Sequence, residues 1–327
     1  MSELNLEVMQ SIANHALEEW DLDVTKVELA SISENLVYRV DTPSEKSYAL
    51  RIHRAGYHTL AELVSEVQWT DALNTAGIEV PNPIMTRNGD GYATVPVPGS
   101  NDTRYVGVIE WLDGAPLVRV LEQENDAESR KHYFGQLGRV TARMHNQASA
   151  WQLPDGFERI AWDAEGFMGD TPHWGPFWDH AGLAAAERSH ILDIRRTIHK
   201  RLLDYGTGSD RFSLIHADMN PDNVLVHEGK VSAIDFDDAG FGWHIYDLAV
   251  SLSYEITETH FEDVRDAMIE GYRCERPLDH TAKELLPMFS LIRELIMLGW
   301  IQDRPEYKDS IPFSTRIQRI SGLAEAL

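Results

Sequence analysis

The sequence predicts an α+β protein of two lobes, a small antiparallel sheet carrying one helix followed by a larger, mostly α-helical unit. Three observations lead there. Five short β-branched or aromatic runs, separated by turn signals, lie between residues 26 and 112. A single helical run interrupts them, and beyond residue 112 the apolar period lengthens to that of a helix and largely stays there. At 327 residues the chain exceeds the roughly 250–300 residues at which one core stops growing. Two units are therefore expected, 1–110 and 111–327.

Residues 1–20 read as a helix. The strands follow as KVELAS, LVYRVDT, SYALRIHR, GYATVPV and RYVGVIEWL, punctuated by TPSEK and NGDG. Between the third and fourth, TLAELVSEVQWTDALNTAG sets Leu63, Val67 and Leu73 near one helical face and ends at Gly77, ahead of VPNP. Past WLDGAPL, helical stripes appear as Tyr133, Leu137, Val140 and Met144, then as Ile191, Ile194, Ile198 and Leu202. LLPMFSLIRELIMLGWI is too short to span a bilayer comfortably and is broken by Arg293 and Glu294, so it reads as a buried helix. Within this helical half, SLIHA, NVLVHEG and KVSAIDF stand out as extended pieces around tight turns.

Composition narrows the function. With 29 basic and 53 acidic residues the net charge is −24, which argues against a nucleic-acid face and suits cationic ligands or plain solubility. Cys274 is the single cysteine, and the first residues show neither a basic leader nor an apolar core, so a cytoplasmic protein without a membrane segment is expected. The chain lacks G-x-x-x-x-G-K-[ST], a G-x-G-x-x-G after a strand, H-E-x-x-H and C-x-x-C. P-loop, dinucleotide and zinc-hydrolase readings therefore have no residues to rest on.

The informative stretch is LIHADMNPDNVLVHEGKVSAIDFDDAGFG, residues 214–242. Asp218 and Asn223 stand five apart with Pro221 between them, and an Asx turn there aims both side chains into one space. Asp235 then arrives at the end of an apolar run. Unpaired carboxylates among apolar residues are costly, and a bound cation removes the difficulty. Three oxygen donors of this kind suit Mg²⁺, which takes one or two carboxylates and completes its shell with water and phosphate. The spacing also separates a carboxylate that orients an attacking hydroxyl from donors that hold the metal, the division of labour phosphoryl transfer requires.

HADMNPDN and IDFDD together resemble the aminoglycoside phosphotransferase and choline kinase family, a branch with the protein-kinase-like fold, and HIYDLAVSL resembles its following helix with a structural acid, here Asp247. The resemblance runs from about residue 30 to about residue 300. It implies Asp218 as the catalytic base, Asn223 and Asp235 as Mg²⁺ ligands, His216 as an internal brace and ATP as phosphoryl donor. Asp237 is either an addition to the metal shell or a solvated turn residue. Arg51 on the third strand is expected at the nucleotide phosphates with Glu66 as its ion-pair partner, Glu62 being the competitor.

The hairpin at residues 31–37, often glycine-bearing in this fold, contains no glycine, leaving Ser31, Ser33 and Asn35 as donors. Backbone from Glu110 to Leu112 is expected at the adenine edge. Trp162, Trp174, Phe177 and Trp178, set among acids in residues 162–180, are read either as the wall of an acceptor pocket that attracts ammonium groups or as ordinary packing. The function implied is transfer of the γ-phosphoryl group of ATP to a hydroxyl of a small acceptor, an aminoglycoside, choline, homoserine or a similar amine. A Ser/Thr protein kinase of the bacterial stress-response type and a non-catalytic pseudokinase-like binding protein are the alternatives.

Overall fold

The computed structural model describes residues 6–33, 35–124, 126–278, 280–304, 312–325 and 327. Two compact units are present, the first comprising residues up to Gly114 together with Gln152–Arg159, the second Ala115–Trp151 and residues from Ile160 onward.

The first unit begins with α1 (Leu6–Ala16), extended by a 3₁₀ turn at Leu17–Glu19; residues 1–5 of the expected helix lie outside the described residues. The strands are β1 (Lys26–Ile32), β2 (Leu36–Asp41), β3 (Ser47–Ile52), β4 (Pro83–Ile84), β5 (Tyr92–Pro96) and β6 (Thr103–Glu110), with α2 (Leu60–Thr75) between β3 and β4. They form one antiparallel sheet in the order β1-β2-β3-β6-β4, and β5 also pairs with β6. Helix α1 covers its core, where Trp20, Tyr38, Leu50, Val106 and Val108 are buried. Strand β4 was not expected: two residues cannot show a period, and its place is fixed by the ladder to β6 and by the Trp20 indole donating to the Ile84 carbonyl at 2.7 Å. Helix α2 starts with a capping box, the Thr59 hydroxyl accepting from the Glu62 amide and the Glu62 carboxylate accepting from the Thr59 amide. It stops as expected before Gly77, whose φ of +75° places it in the left-handed region.

The unit boundary falls beyond the expected 110/111 junction, and hydrogen bonding explains the shift. The Trp111 amide still bonds to Ser47 of β3, whereas β7 (Ala115–Pro116) pairs with a hairpin of the second unit. Residues 152–159 rejoin the first unit because the Glu158 amide donates to the Ser65 hydroxyl and the Arg159 guanidinium to the Glu62 carbonyl.

The second unit continues with α3 (Leu117–Gln123), α4 (Ala127–Ala150), β8 (Ala161–Trp162), α5 (Ala164–Met168), α6 (Ala185–Tyr205), β9 (Phe212–Ile215), β10 (Val224–His227), β11 (Lys230–Ala233) and β12 (Gly240–Trp243). It ends with α7 (His244–Ser251), α8 (Phe261–Arg273), α9 (His280–Gln302) and α10 (Phe313–Ala324). Two small sheets, β11-β10-β7 and β8-β12-β9, sit among the helices. Tyr133, Leu137 and Met144 of α4 are buried as expected, and so are Ile191, Ile194, Ile198 and Leu202 of α6. The apolar run lies in α9 and is buried, and no helix among the described residues is long and apolar enough to cross a membrane.

Helices α4 and α8 approach until backbone meets backbone. A Cβ on Gly138 would overlap the Met268 carbonyl oxygen, and one on Gly271 the Gly135 carbonyl oxygen. Neither obstacle is a flexible side-chain end, so the helices would have to separate. Gly271→Ala is expected to destabilise the protein by about 1–3 kcal/mol, the usual cost of overpacking. A urea-unfolding midpoint equal to that of the wild type would contradict this.

Candidate active site

The central loop, residues 216–223, links β9 to β10 and is held by hydrogen bonds along most of its length. Helix α7 provides two anchors one turn apart. The Asp247 carboxylate, fully buried, accepts from the His216 amide at 3.0 Å and the Ala217 amide at 2.7 Å. The Ser251 hydroxyl donates to the Met219 carbonyl at 2.7 Å. Asn220 caps the 3₁₀ turn Pro221–Asn223, its side-chain oxygen accepting from the Asp222 amide, so the expected Asx turn forms. Ala217 takes a left-handed φ of +64°, a conformation that costs a non-glycine residue on the order of 1–3 kcal/mol and survives where surrounding bonds over-determine it.

These bonds aim Asp218. Its Oδ2 accepts from the Asn223 side-chain amide at 2.8 Å, and the same amide donates to the Asp218 carbonyl at 2.9 Å. With its nitrogen engaged twice, Asn223 has its oxygen left for a cation. The β10–β11 ladder carries the third expected residue to the same place: Val224 pairs with Ala233, the Ile234 amide donates to the Asn223 carbonyl, and Asp235 follows directly. Asp235 lies two residues past the end of β11 rather than within it and has a left-handed φ of +63°. His216 ties the two loops together, accepting from the Asp218 amide through Nδ1 and donating to the Ile234 carbonyl through Nε2 at 2.9 Å. Asp237 is buried, which excludes the solvated-turn reading.

In the first unit Arg51 and Glu66 are both buried and form an ion pair of 2.6 Å. Glu62 is not the partner, because the capping box engages it. Arg159, from the returning segment, stands 3.9 Å from the other Glu66 oxygen. At the glycine-free hairpin Ser33 is exposed, and the buried Asn35 uses its side-chain oxygen to accept from the Arg54 amide. The Glu110 amide donates to the Asn82 carbonyl and its carboxylate accepts from the Asn82 side chain. Leu112 is half-buried beyond β6.

The sequence profile of the phosphotransferase enzyme family matches residues 27–285, from β1 into α9. The chain belongs to that family. Amicoumacin kinase of Bacillus subtilis (strain 168) is 22% identical over 300 residues, covering 89% of this chain and 84% of that protein. The solved structure of the microcompartment-associated aminopropanol kinase superposes with a TM-score of 0.81 at 32% identity, over 96% of this chain and 95% of the other. A choline kinase from Streptococcus pneumoniae shares the fold, with a TM-score of 0.63 at 18% identity over 100% of both chains. The protein is therefore a phosphotransferase acting on a hydroxyl of a small molecule, with ATP and a divalent cation as the family's cofactors.

Two features of this phosphotransferase escape the sequence reading. Arg293 of α9, noticed only as an interruption of an apolar run, donates from Nη2 to Asp218 Oδ1 at 2.5 Å. Its guanidinium lies 5.0 Å from the centre of the Trp174 ring. Burial works against the Arg293 charge, but the fields of Asp218, Tyr246 and Asp238 outweigh it and raise its pKa above the ordinary arginine value. The signal that could have found it is the charge itself, since a buried guanidinium needs a partner.

The aromatic insert, left open between a pocket wall and ordinary packing, hides the second, the place of Trp174 beside Arg293. Trp162 and Phe177 are packed in the core, Trp162 against Phe167, Trp174 and Tyr246, and Trp178 stacks on Arg195 at 4.1 Å. Packing thus accounts for most of residues 162–180, and Trp174 alone of the four rings stands over Arg293.

Beneath the loop, Asp247 also accepts from His145 Nε2 at 3.0 Å, while Nδ1 of that ring accepts from the Tyr272 hydroxyl at 2.9 Å. His244 stacks on His145 with ring centres 4.4 Å apart. Burial lowers the pKa of His145, and burial followed by the His145 field lowers that of His244, so the fold favours the neutral form of both rings. Below the unfolded value of about 6.5 the unfolded chain therefore takes up protons more readily than the native state. Stability present above that pH is lost as the pH falls from about 6.5 to about 5.5. Urea titrations at both pH values check this, and the difference should shrink in His244→Gln; an equal difference would contradict the assignment.

Proposed function

We propose that this phosphotransferase moves the γ-phosphoryl group of ATP to the hydroxyl of a small amino alcohol, with Asp218 as the base that receives the hydroxyl proton. The observation that carries the reading is the aim of Asp218, held by Asn223 on one oxygen and Arg293 on the other. Asn223 through its side-chain oxygen and Asp235 through its carboxylate are the Mg²⁺ ligands. These hard oxygen donors fit the ion, because Mg²⁺ asks for few protein ligands and completes its shell with water and phosphate. When bound, Mg²⁺ supplies charge neutralisation at the transferring phosphoryl group.

Arg51 contacts nucleotide phosphate, and Glu66 keeps its guanidinium in place. Ser33 and Asn35 belong to the hairpin over the phosphates. The adenine contact falls to the Glu110 carbonyl and the Leu112 backbone, because the Glu110 amide already serves Asn82. An amine on the acceptor is supported by the likeness to the aminopropanol kinase and by the charge of the second unit's loops, where Asp218, Asp222, Asp235, Asp237 and Asp238 outnumber Arg293. A cytoplasmic location belongs to the same reading, because ATP is available there.

Thermal stabilisation by ATP with Mg²⁺ tests the nucleotide site. At about 100 Kd of nucleotide the gain is about 2.7 kcal/mol in the wild type, and it should vanish in Asp235→Ala; equal shifts in both proteins would remove Asp235 from the metal. For the acceptor, ADP release is measured with 1-amino-2-propanol, homoserine, choline and an aminoglycoside. Asp218→Asn is expected to lower kcat by about 10²–10⁴-fold on whichever acceptor is used. Undiminished turnover in that variant would displace Asp218 from the role of base.

A further inference from the structure

Arg293 is expensive to place where it is. Its neighbours on α9, Leu291, Ile292, Leu295 and Ile296, are all buried and apolar, and the guanidinium itself is nearly buried. A buried ion pair contributes little to stability once desolvation is counted, and an apolar residue of similar volume is often as good or better. Its short hydrogen bond is the one to Asp218 Oδ1 at 2.5 Å, with the Tyr246 hydroxyl as a further polar neighbour.

The surroundings fix it there. Trp174 lies against its guanidinium. Gly299, one and a half turns further along α9, packs so closely on the segment carrying Trp174 that a Cβ there would overlap the Trp174 carbonyl oxygen. The next residue, Glu294, takes no part, being paired with Arg316 at 2.7 Å and Arg319 at 3.5 Å. Two consecutive charges in one apolar helix thus face separate tasks, one structural and one at the loop.

We propose that Arg293 is a positioning residue of the phosphoryl transfer: with Trp174 against its guanidinium, it fixes Asp218 in the rotamer that receives the acceptor hydroxyl and supplies the local positive charge that site needs during transfer. The proposal rests on the phosphotransferase reading of Asp218. Asn223 holds Oδ2 from the loop itself, but a single bond leaves the carboxylate free to rotate about it. Arg293 is the second point of attachment, delivered from a helix 75 residues away in the chain. It acts through Asp218 and does not touch nucleotide, so its removal should alter turnover while nucleotide binding persists.

The experiment compares wild type, Arg293→Met, Arg293→Lys and Trp174→Leu for ADP release with 1-amino-2-propanol and without added acceptor, alongside thermal stabilisation by ATP with Mg²⁺. Arg293→Met is expected to lose roughly 100-fold in kcat, the scale of misplacing a reacting group by about 1 Å, with KM for ATP changed by less than about threefold. Arg293→Lys, which restores the charge without the fork, should recover about tenfold of that loss. Trp174→Leu should lower kcat by a smaller factor with the same split. Retained stabilisation by ATP shows that each variant is folded.

Wild-type kcat in Arg293→Met, a loss falling on KM for ATP, or a Lys variant no better than the Met variant would each overturn the proposal, the last pointing to a purely structural arginine. A wild type that neither transfers nor hydrolyses ATP would instead overturn the phosphotransferase reading of Asp218, and this proposal with it.

Discussion

Everything at the site hangs from one buried carboxylate. Asp247 lies in the interior of the second unit, compensated by two loop amides and the His145 ring. Charge-assisted bonds of this kind are about twice as strong as neutral ones, and removing the acceptor would leave three buried donors unsatisfied. The loop therefore has one conformation. That rigidity is what allows Ala217 to remain at a left-handed φ, and Ala217 in turn directs Asp218 outward from β9. The helix that carries Asp247 also carries Ser251, so three bonds from one face of α7 set three residues of the loop, His216, Ala217 and Met219.

The charges around Asp218 form a graded series. Asp247 is buried and fully bonded, Asp218 is shared between Asn223 and Arg293, and Asp235 stands just past the end of its strand with its geometry set by the β10–β11 ladder. His216 couples the two loops by accepting from one and donating to the other. A displacement of either loop would thus be felt by the other, which keeps Asp218, Asn223 and Asp235 in register. Positioning of this kind is the main contribution a protein can make to phosphoryl transfer, where little covalent chemistry is asked of it.

The first unit shows how a local motif decides a tertiary question. Glu62 and Glu66 are one turn apart on α2, and either spacing suits an ion pair with Arg51. The capping box claims Glu62 for the helix start, leaving Glu66 on the face that meets β3. Asn35 illustrates the same economy in the hairpin: without glycine to bring backbone close, its buried side chain braces the turn against Arg54. The segment 152–159 adds Arg159 beside Glu66, a contribution that position in the chain gave no reason to expect.

Short-range order made much of this protein legible in its sequence. HADMNPDN and IDFDD lie within a few residues of tight turns and a two-stranded ladder, so their side chains are aimed by the chain immediately around them. The longer sheet strands, the helix between them and the buried stripes of α4 and α6 followed from periods of two and 3.6 residues for the same reason. Strands β4, β7, β8 and β12 were missed because two to four residues carry no readable period and exist only through their partners. Residues 162–180 could not be assigned because a tryptophan packing a core and one lining a pocket have the same local sequence. Arg293 is the clearest case. Its sequence context showed an anomaly, a charge in an apolar helix, but a buried charge announces only that it has a partner, and which partner is settled by the fold that brings α9 against the loop.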